Sequence, residues 1–348
     1  MRQANSLEDL MRLRAHHRAF FDTINGNLGT ALGFKKRTNE EISDEPAIIV
    51  FVPQKINPKW IPGSQLIPKK LEIADDIWCL LDVVEGGKAE TEPGIPRAED
   101  DLAERLRGWD DHIWGGSQIA NWINQQQGSY SLGTLGAFVK KGDVKGFLTN
   151  QHVGVEPGKK LFHPVPWGTQ IGTTEQTIEY VEDQSWYGPL SDEPQTYVRA
   201  DCAFVRLNED ILADLNTDLM GIGALAGLEK ISLQDMSIMG RKVQRVGRTT
   251  GLRYGTIVGF GYEFIDDNEV TVYTDLLIIG DDDIPFSTHG DSGSLIVTRD
   301  NQKAIGLLWG GWQEKLRTGH AQENWTYAVA LDRVMEALQI ELMHGPVS

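Results

Sequence analysis

Within Ser287–Val297, STHGDSGSLIV, the run Gly290-Asp291-Ser292-Gly293 sets a hydroxyl between glycines just before the strand-like SLIVT. Taken alone it has two readings. Gly, Asp and Ser are among the commonest turn formers, and a serine held at such a turn is also a nucleophile if a base can take its proton. A hydroxyl attacks poorly at neutral pH, so it needs a base within hydrogen-bond reach. That base needs an orienting acceptor on its other ring nitrogen.

Both partners lie upstream. His152 follows the strand-like GFLTN in GFLTNQHVGVE, where a strand end holds an imidazole at a rigid, partly exposed position. Asp201 sits at the mouth of the apolar YVRADCAFVRL. A lone carboxylate is costly to bury there, and an imidazole that becomes imidazolium is a suitable partner. Asp82, in IWCLLDVV, is the rival acceptor on the same argument, ranked second because it lies in the N-terminal part of the chain.

The elements that must position these residues change in texture along the chain. SLEDLMRLRAHHRAFFDTI reads as a helix capped by Ser6, with Glu8 and Asp9 in its first turn and Leu10, Leu13, Phe20 and Phe21 near helical spacing. His16 and His17 are neighbours on it and do not share a face, so no metal pair is expected. PAIIVFVPQK and DDIWCLLDVVEGG read as buried strands, and the polar GGKAETEPGIPRAED as a linker or long surface loop. From Ser117 onward short apolar runs alternate with turn residues, the signature of an all-β sandwich or barrel. AFVKKGDVKGFL reads as a hairpin across Gly142-Asp143 and RTTGLRYGTIVGF as another. ALDRVMEALQIELM closes the chain as a helix with Leu331, Val334, Met335, Leu338 and Leu342 on one stripe.

Composition narrows the function classes. With 50 Asp and Glu against 33 Lys and Arg, the net charge is −17, which argues against a nucleic-acid partner. The acidic clusters Asp281-Asp282-Asp283 and Asp266-Asp267 lack calcium-loop spacing and read as solvated turns. His163, His289 and His320 have no Cys or His partner at ligand spacing, so no metal is expected, and no cofactor motif is present. No apolar run is long enough for a membrane span, and the N-terminal stretch is charged rather than signal-like, so no membrane partner and a cytoplasmic location are expected. Cys79 and Cys202 lie in apolar runs and read as buried free thiols of a reducing compartment.

FLTNQHV, ADCAFVRL and GDSGS, in this order, resemble the histidine, aspartate and serine motifs of trypsin-like serine peptidases. A closer similarity, to the plant narrow-leaf group of these peptidases, extends through DEPAIIVFV, FHPVP, YVRAD, GRTTGLRYGTI and ENWT. The resemblance implies a mainly β chain: a trypsin-like double β-barrel with a C-terminal helix over 116–348, preceded by a small α/β module and linker over 1–115. It implies Ser292 as nucleophile, His152 as general base and acid, Asp201 as the group fixing the imidazole tautomer, and the N–H groups of Gly290 and Ser292 as an oxyanion hole. Asp291 then anchors the loop. The implied activity is an intracellular endopeptidase cutting protein or peptide substrates; the alternative is a catalytically silent protease-like scaffold that binds peptides or partners.

Two departures limit what is carried over. No Arg-Ile-Val-Gly activation site appears, so activation by a freed N-terminus is not implied, and the site is either preformed or controlled by assembly. Phe286 stands six residues before Ser292, where trypsin has an acidic pocket floor. With His289, Trp309 and Gly310 as further substrate-binding candidates, an apolar or small residue before the cleaved bond is expected. The edge of IGLLWGG is expected to hold an extended peptide, and the N-terminal module to dock on the barrels, recognise substrate or build a homo-oligomer.

Overall fold

The computed structural model describes residues 1–36, 42–73, 76–86, 101–108, 111–188, 196–266, 269–312 and 325–344. Most of the expected linker, and His320, lie outside them.

Strand β1 (Arg2–Gln3) leads into helix α1 (Leu7–His16), where Ser6 Oγ accepts the Asp9 N–H at 3.1 Å. The expected long helix breaks at His17, and α2 (Arg18–Asp22) is separate. The break brings the His16 and His17 rings edge to face at 4.9 Å. Leu7, Leu10, Leu13 and Phe21 are buried. They belong to the same core cluster as residues of a sheet made of β2 (Gly29–Lys36), β3 (Ile42–Val52), β4 (Lys70–Glu72) and β5 (Ile77–Glu85). β3 and β5 run parallel, and β2 pairs antiparallel with the other edge of β3. The nearly continuous Val and Ile of β3 suit a strand covered on both faces.

Helix α3 (Asp101–Arg107) and β6 (Ile113–Gly115) precede the first barrel, which comprises β7 (Gln118–Asn124), β8 (Ser129–Thr134), β9 (Ala137–Lys141), β10 (Val144–Thr149), β11 (Lys160–His163), β12 (Thr169–Glu182) and β13 (Tyr197–Leu207). Helix α4 (Gln151–Gly154) follows β10, and α5 (Asp183–Tyr187) follows β12. β8 and β9 act as one bent strand: the Leu135 N–H donates to Ser117 on the β7 side, and the Gly136 N–H donates to Leu148 on the β10 side. Antiparallel pairing then runs β7, β8/β9, β10, β13, β12, β11 and back to β7, closing a six-stranded ring. Ile119, Phe138, Phe147, Leu161, Ile171 and Val205 form its core.

After β14 (Leu215–Leu219), which pairs with β6, and β15 (Gly227–Leu228) comes the second barrel. Its strands are β16 (Lys242–Gly247), β17 (Gly251–Ile265), β18 (Thr271–Gly280), β19 (Leu295–Thr298), β20 (Lys303–Trp312) and β21 (Trp325–Ala330). Their antiparallel pairs run β16, β17, β18, β21, β20, β19 and back to β16, a second closed ring. The chain is therefore mainly β, with the expected double barrel.

The N-terminal sheet continues into the second barrel. β17 outruns the ring, and its far half pairs with β2: Gly259 with Gly33, Phe260 with Leu32, Glu263 with Thr30. A Cβ at Gly33 would lie 2.8 Å from the Val258 carbonyl oxygen, so only glycine allows this approach. Ile48, Val50, Ile77 and Cys79 from the sheet share one core cluster with Ile257, Phe260, Leu276, Phe286 and Ile305 from the barrel.

Two further local expectations are corrected. Helix α6 (Leu331–Leu338) ends at Gln339, whose φ of 58° is left-handed, and Leu342 lies instead in β22 (Glu341–Leu342), paired with β9. The second hairpin turns at Arg248–Thr250, where Gly247 faces Gly251, so Leu252–Phe260 is one strand rather than two. β2, GTALGFKK, is not among the expected strands.

Candidate active site

Asp201 is fully buried, with an unusual positive φ of 37°. Its carboxylate grips the α4 turn twice: Oδ1 accepts the His152 backbone N–H at 3.0 Å, and Oδ2 lies 2.7 Å from His152 Nδ1. Asn150, also fully buried, donates from Nδ2 to the Asp201 carbonyl at 2.7 Å. Burial by itself would raise the Asp201 pKa. The facing imidazole, its hydrogen bonds and Arg199, with Nε at 3.9 Å from Oδ2, outweigh burial and hold the carboxyl below its ordinary range. A charged acceptor on Nδ1 fixes the proton there and leaves Nε2 as the basic nitrogen. The imidazole is about one-third exposed.

The serine loop reaches this turn through backbone contact. Gly293 has φ +96°, and a Cβ there would lie 2.2 Å from the Thr134 carbonyl oxygen and 2.5 Å from Thr149 Oγ1, just before the histidine turn. The Thr134 N–H donates to the Ser292 carbonyl at 2.9 Å, and Thr134 Oγ1 donates to the Gly290 carbonyl at 2.8 Å. On the other side the Gly293 N–H donates to the Leu308 carbonyl at 3.0 Å. Ser292 thus lies on the seam between the barrels, with β8 on one side and β20 on the other.

Within the loop the N–H groups of Asp291, Gly293 and Ser294 are all bonded. Those of Gly290 and Ser292 donate to no group among the described residues. Gly290 has φ +89°, in the left-handed region that lets its N–H turn out of the chain's own bonding. The two unspent donors flank the buried Asp291, whose carboxylate accepts from Thr249 N–H at 2.9 Å, Thr250 N–H at 3.2 Å, Thr250 Oγ1 at 2.8 Å, Thr288 N–H at 3.1 Å and Arg245 Nη2 at 2.8 Å. Asp291 therefore fastens the serine loop to the β16–β17 turn.

Other candidates fall in different places. Asp82 lies on β5, where Oδ2 accepts the Lys36 N–H at 2.9 Å, away from His152. Phe286 is fully buried in the core shared with the N-terminal sheet, with the Arg245 guanidinium 5.6 Å from its ring centre. Trp309 is buried; its Nε1 donates to Thr274 Oγ1 at 3.1 Å, and the Arg199 guanidinium lies 4.6 Å over its ring. A Cβ at Gly310 would meet only Tyr327 Cδ2, at 3.8 Å. His289 is exposed beside the loop, and its carbonyl accepts Thr249 Oγ1 at 2.7 Å. β20 pairs with β19 only as far as Leu307, so from Trp309 to Gly311 one edge is open among the described residues.

His163 is a core histidine, buried with Nδ1 2.7 Å from the Gln118 carbonyl, and burial pushes its pKa down. No group of three or more potential metal ligands occurs among the described residues. Arg245, Arg199 and Asn150 went unnoticed in the sequence. For Arg245 a signal existed: in KVQRVG it shares the phase of the buried Val243.

Residues 97–346 match the family described as Nal1 C-terminal domain, and residues 2–84 match the NARROW LEAF 1 N-terminal domain. Protein NARROW LEAF 1 of Oryza sativa subsp. japonica is 37% identical over 98% of this chain, which spans 61% of that protein's length. Among solved structures, Thermobifida fusca Protease A is 20% identical, with 67% of this chain and all of that one covered at a TM-score of 0.43. Cellulomonas bogoriensis chymotrypsin is 22% identical, with the same coverage and TM-score. No described helix is long and apolar enough to cross a membrane.

Proposed function

The chain belongs to the NARROW LEAF 1 family, and we propose that it is a serine endopeptidase that cuts protein substrates through Ser292, His152 and Asp201. The observation that carries this reading is the double grip of Asp201 on His152, at 2.7 Å to Nδ1 and 3.0 Å to the backbone N–H.

In the proposed reaction Ser292 Oγ attacks the scissile carbonyl carbon while its proton passes to His152 Nε2. The carbonyl electron pair moves onto oxygen, and the N–H groups of Gly290 and Ser292 receive that oxyanion. Asp201 stabilises the imidazolium. As the tetrahedral adduct collapses, the C–N bond breaks and His152 gives its proton to the leaving amine. Water then attacks the acyl ester with His152 as base, and the carboxylic acid leaves with Ser292 restored.

The open edge of β20 from Trp309 to Gly311 supports an extended substrate added as a strand. The room at Gly310 supports an apolar or small residue before the cleaved bond. Cleavage of a peptide library only after Lys or Arg would contradict that preference. The two buried free thiols support a reducing compartment, here the cytoplasm.

We also propose that the N-terminal module builds a homo-oligomer. Ile56, Trp60 and Leu66 are exposed on one loop that carries Lys55, Lys59 and Lys69 and no acidic residue, while the chain as a whole is at −17. A second copy supplies the complementary charge. Light scattering should show mass rising with concentration and falling in Trp60→Ser; a monomer throughout would sink the idea.

Fluorophosphonate trapping of Ser292 tests the catalytic reading. A folded chain that resists it is the silent scaffold instead.

A further inference from the structure

We infer that the exposed aromatic cluster Trp122, Tyr130 and Trp167 is a docking site for an uncharged, proline-containing extended segment of the protein substrate, beyond the cleaved bond. The inference rests on the endopeptidase reading above.

The three rings meet at 5.6 to 6.2 Å between centres, with Tyr130 nearly perpendicular to both indoles. Trp122 is partly buried, but burial does not account for the other two: Trp167 is 65% and Tyr130 41% exposed. Exposed aromatic clusters of this kind mark recognition surfaces.

Two structural ties couple the cluster to Ser292. The first is β8 itself, which runs from beside Tyr130 to Thr134, the residue bonded to the Ser292 and Gly290 carbonyls. Four residues of strand span roughly 13 Å. The second is a chain of side chains. A Cβ on Gly290 would meet the Arg248 guanidinium; Arg248 Nε donates to Gln118 Oε1 at 2.6 Å, and Gln118 Nε2 donates to the Pro164 carbonyl at 2.7 Å. Pro164 opens the loop that carries Trp167. Leu308 of β20 and Thr134 of β8 hold the Ser292 loop from its two sides, so a substrate strand continued past Ser292 from the β20 edge is on the β8 side.

The chemistry of the surface selects the segment. From Ile113 to Val139 the chain carries no Asp, Glu, Lys or Arg, and neither does Leu161–Thr174, in a protein that is 24% charged. A charged segment would lose hydration there without gaining a counter-charge. Perpendicular rings offer faces on which prolines stack, and the exposed amides of Gln125 and Gln126 can donate to the carbonyls that a polyproline-type strand leaves unbonded.

The test uses the full chain carrying Ser292→Ala, so that binding is read without cleavage and stands whether or not Ser292 reacts. The probe is a fluorophore-labelled peptide of four Ala-Pro-Pro repeats, followed by anisotropy, beside a version with Glu replacing each Ala. Saturable binding of the uncharged peptide is expected. It should weaken about ten-fold or more when either Trp167→Ala or Tyr130→Ala is added, and stay unchanged when the exposed Ile265 is changed to Ser. Absence of saturation, equal binding in all variants, or preference for the Glu peptide would overturn the assignment. Loss of fluorophosphonate reactivity in the parent chain would remove the endopeptidase reading alone.

Discussion

Arg245 and Asp291 form an ion pair, 2.8 Å from Nη2 to Oδ2, in which neither side chain has any exposure to solvent. The guanidinium comes from β16 and the carboxylate from the serine loop. The Arg245 side chain also donates to the Phe286 carbonyl, from Nε at 2.8 Å, so one residue braces both ends of the serine loop. The serine loop is thus fastened by one side chain at both Asp291 and Phe286.

The first expectation concerns this pair. Arg245→Met leaves a carboxylate buried without its partner, a change that typically costs about 3–5 kcal/mol. Thermal unfolding should fall steeply, and labelling of Ser292 should slow even where the variant is still folded. The unaltered chain should label at its full intact mass. A requirement for cleavage before labelling would contradict the preformed loop.

Gly290→Ala should disable the oxyanion site more than the fold. At φ +89° a Cβ would sit 2.4 Å from Arg248 Nη1 and 2.7 Å from Thr249 Oγ1. The backbone strain is on the order of 1–2 kcal/mol, whereas losing one oxyanion donor costs a factor of about 10²–10³ in turnover. Melting and labelling rate, measured together, should diverge in that sense; a variant with normal reactivity would remove Gly290 from the site.

Asp201→Asn should keep the fold at neutral pH and lower hydrolysis by about 10⁴-fold, because an amide can leave the imidazole in the wrong tautomer. The sign of its pH effect follows from the depressed carboxyl. Its stabilising contribution is present above the ordinary carboxylate pKa and is lost as pH falls through the lower folded value, so wild type and variant should converge in stability only in strong acid. Denaturant titrations from pH 7 down to pH 2 would show it.

Asp275 carries the opposite sign. Burial pushes its pKa up to about 6, against the lowering bonds from the Ala330 N–H, at 2.7 Å, and the Tyr187 hydroxyl. The folded state therefore binds the proton more tightly than the unfolded one, and stability from this group falls as pH rises from about 4 to 6, by on the order of 3 kcal/mol. Asp275→Asn should flatten that part of the stability curve; an unchanged slope would reject the assignment.

Sequence pattern reached the barrels because short apolar runs alternate with turn residues, as in AFVKK and VKGFLT on either side of Gly142-Asp143. The motifs around His152, Asp201 and Ser292 were legible for the same local reason. What escaped were contacts between distant stretches. GTALGFKK carries two glycines and reads as weak, yet Gly33 is there because β17 must come close, a need visible only once Val258 is opposite. Nothing within KVQRVG shows what Arg245 pairs with, because Asp291 lies 46 residues further along the chain. Leu342 kept the helical phase, but Gln339 ended the helix and β9 offered an edge.

The central claim is tested most directly by fluorophosphonate labelling of the folded chain beside Ser292→Ala and His152→Ala, with the modified peptide located by mass spectrometry. The expected result is a single adduct on Ser292, absent from Ser292→Ala and nearly absent from His152→Ala. A folded parent that takes up no label, or takes it up equally without His152, would contradict a working serine–histidine pair.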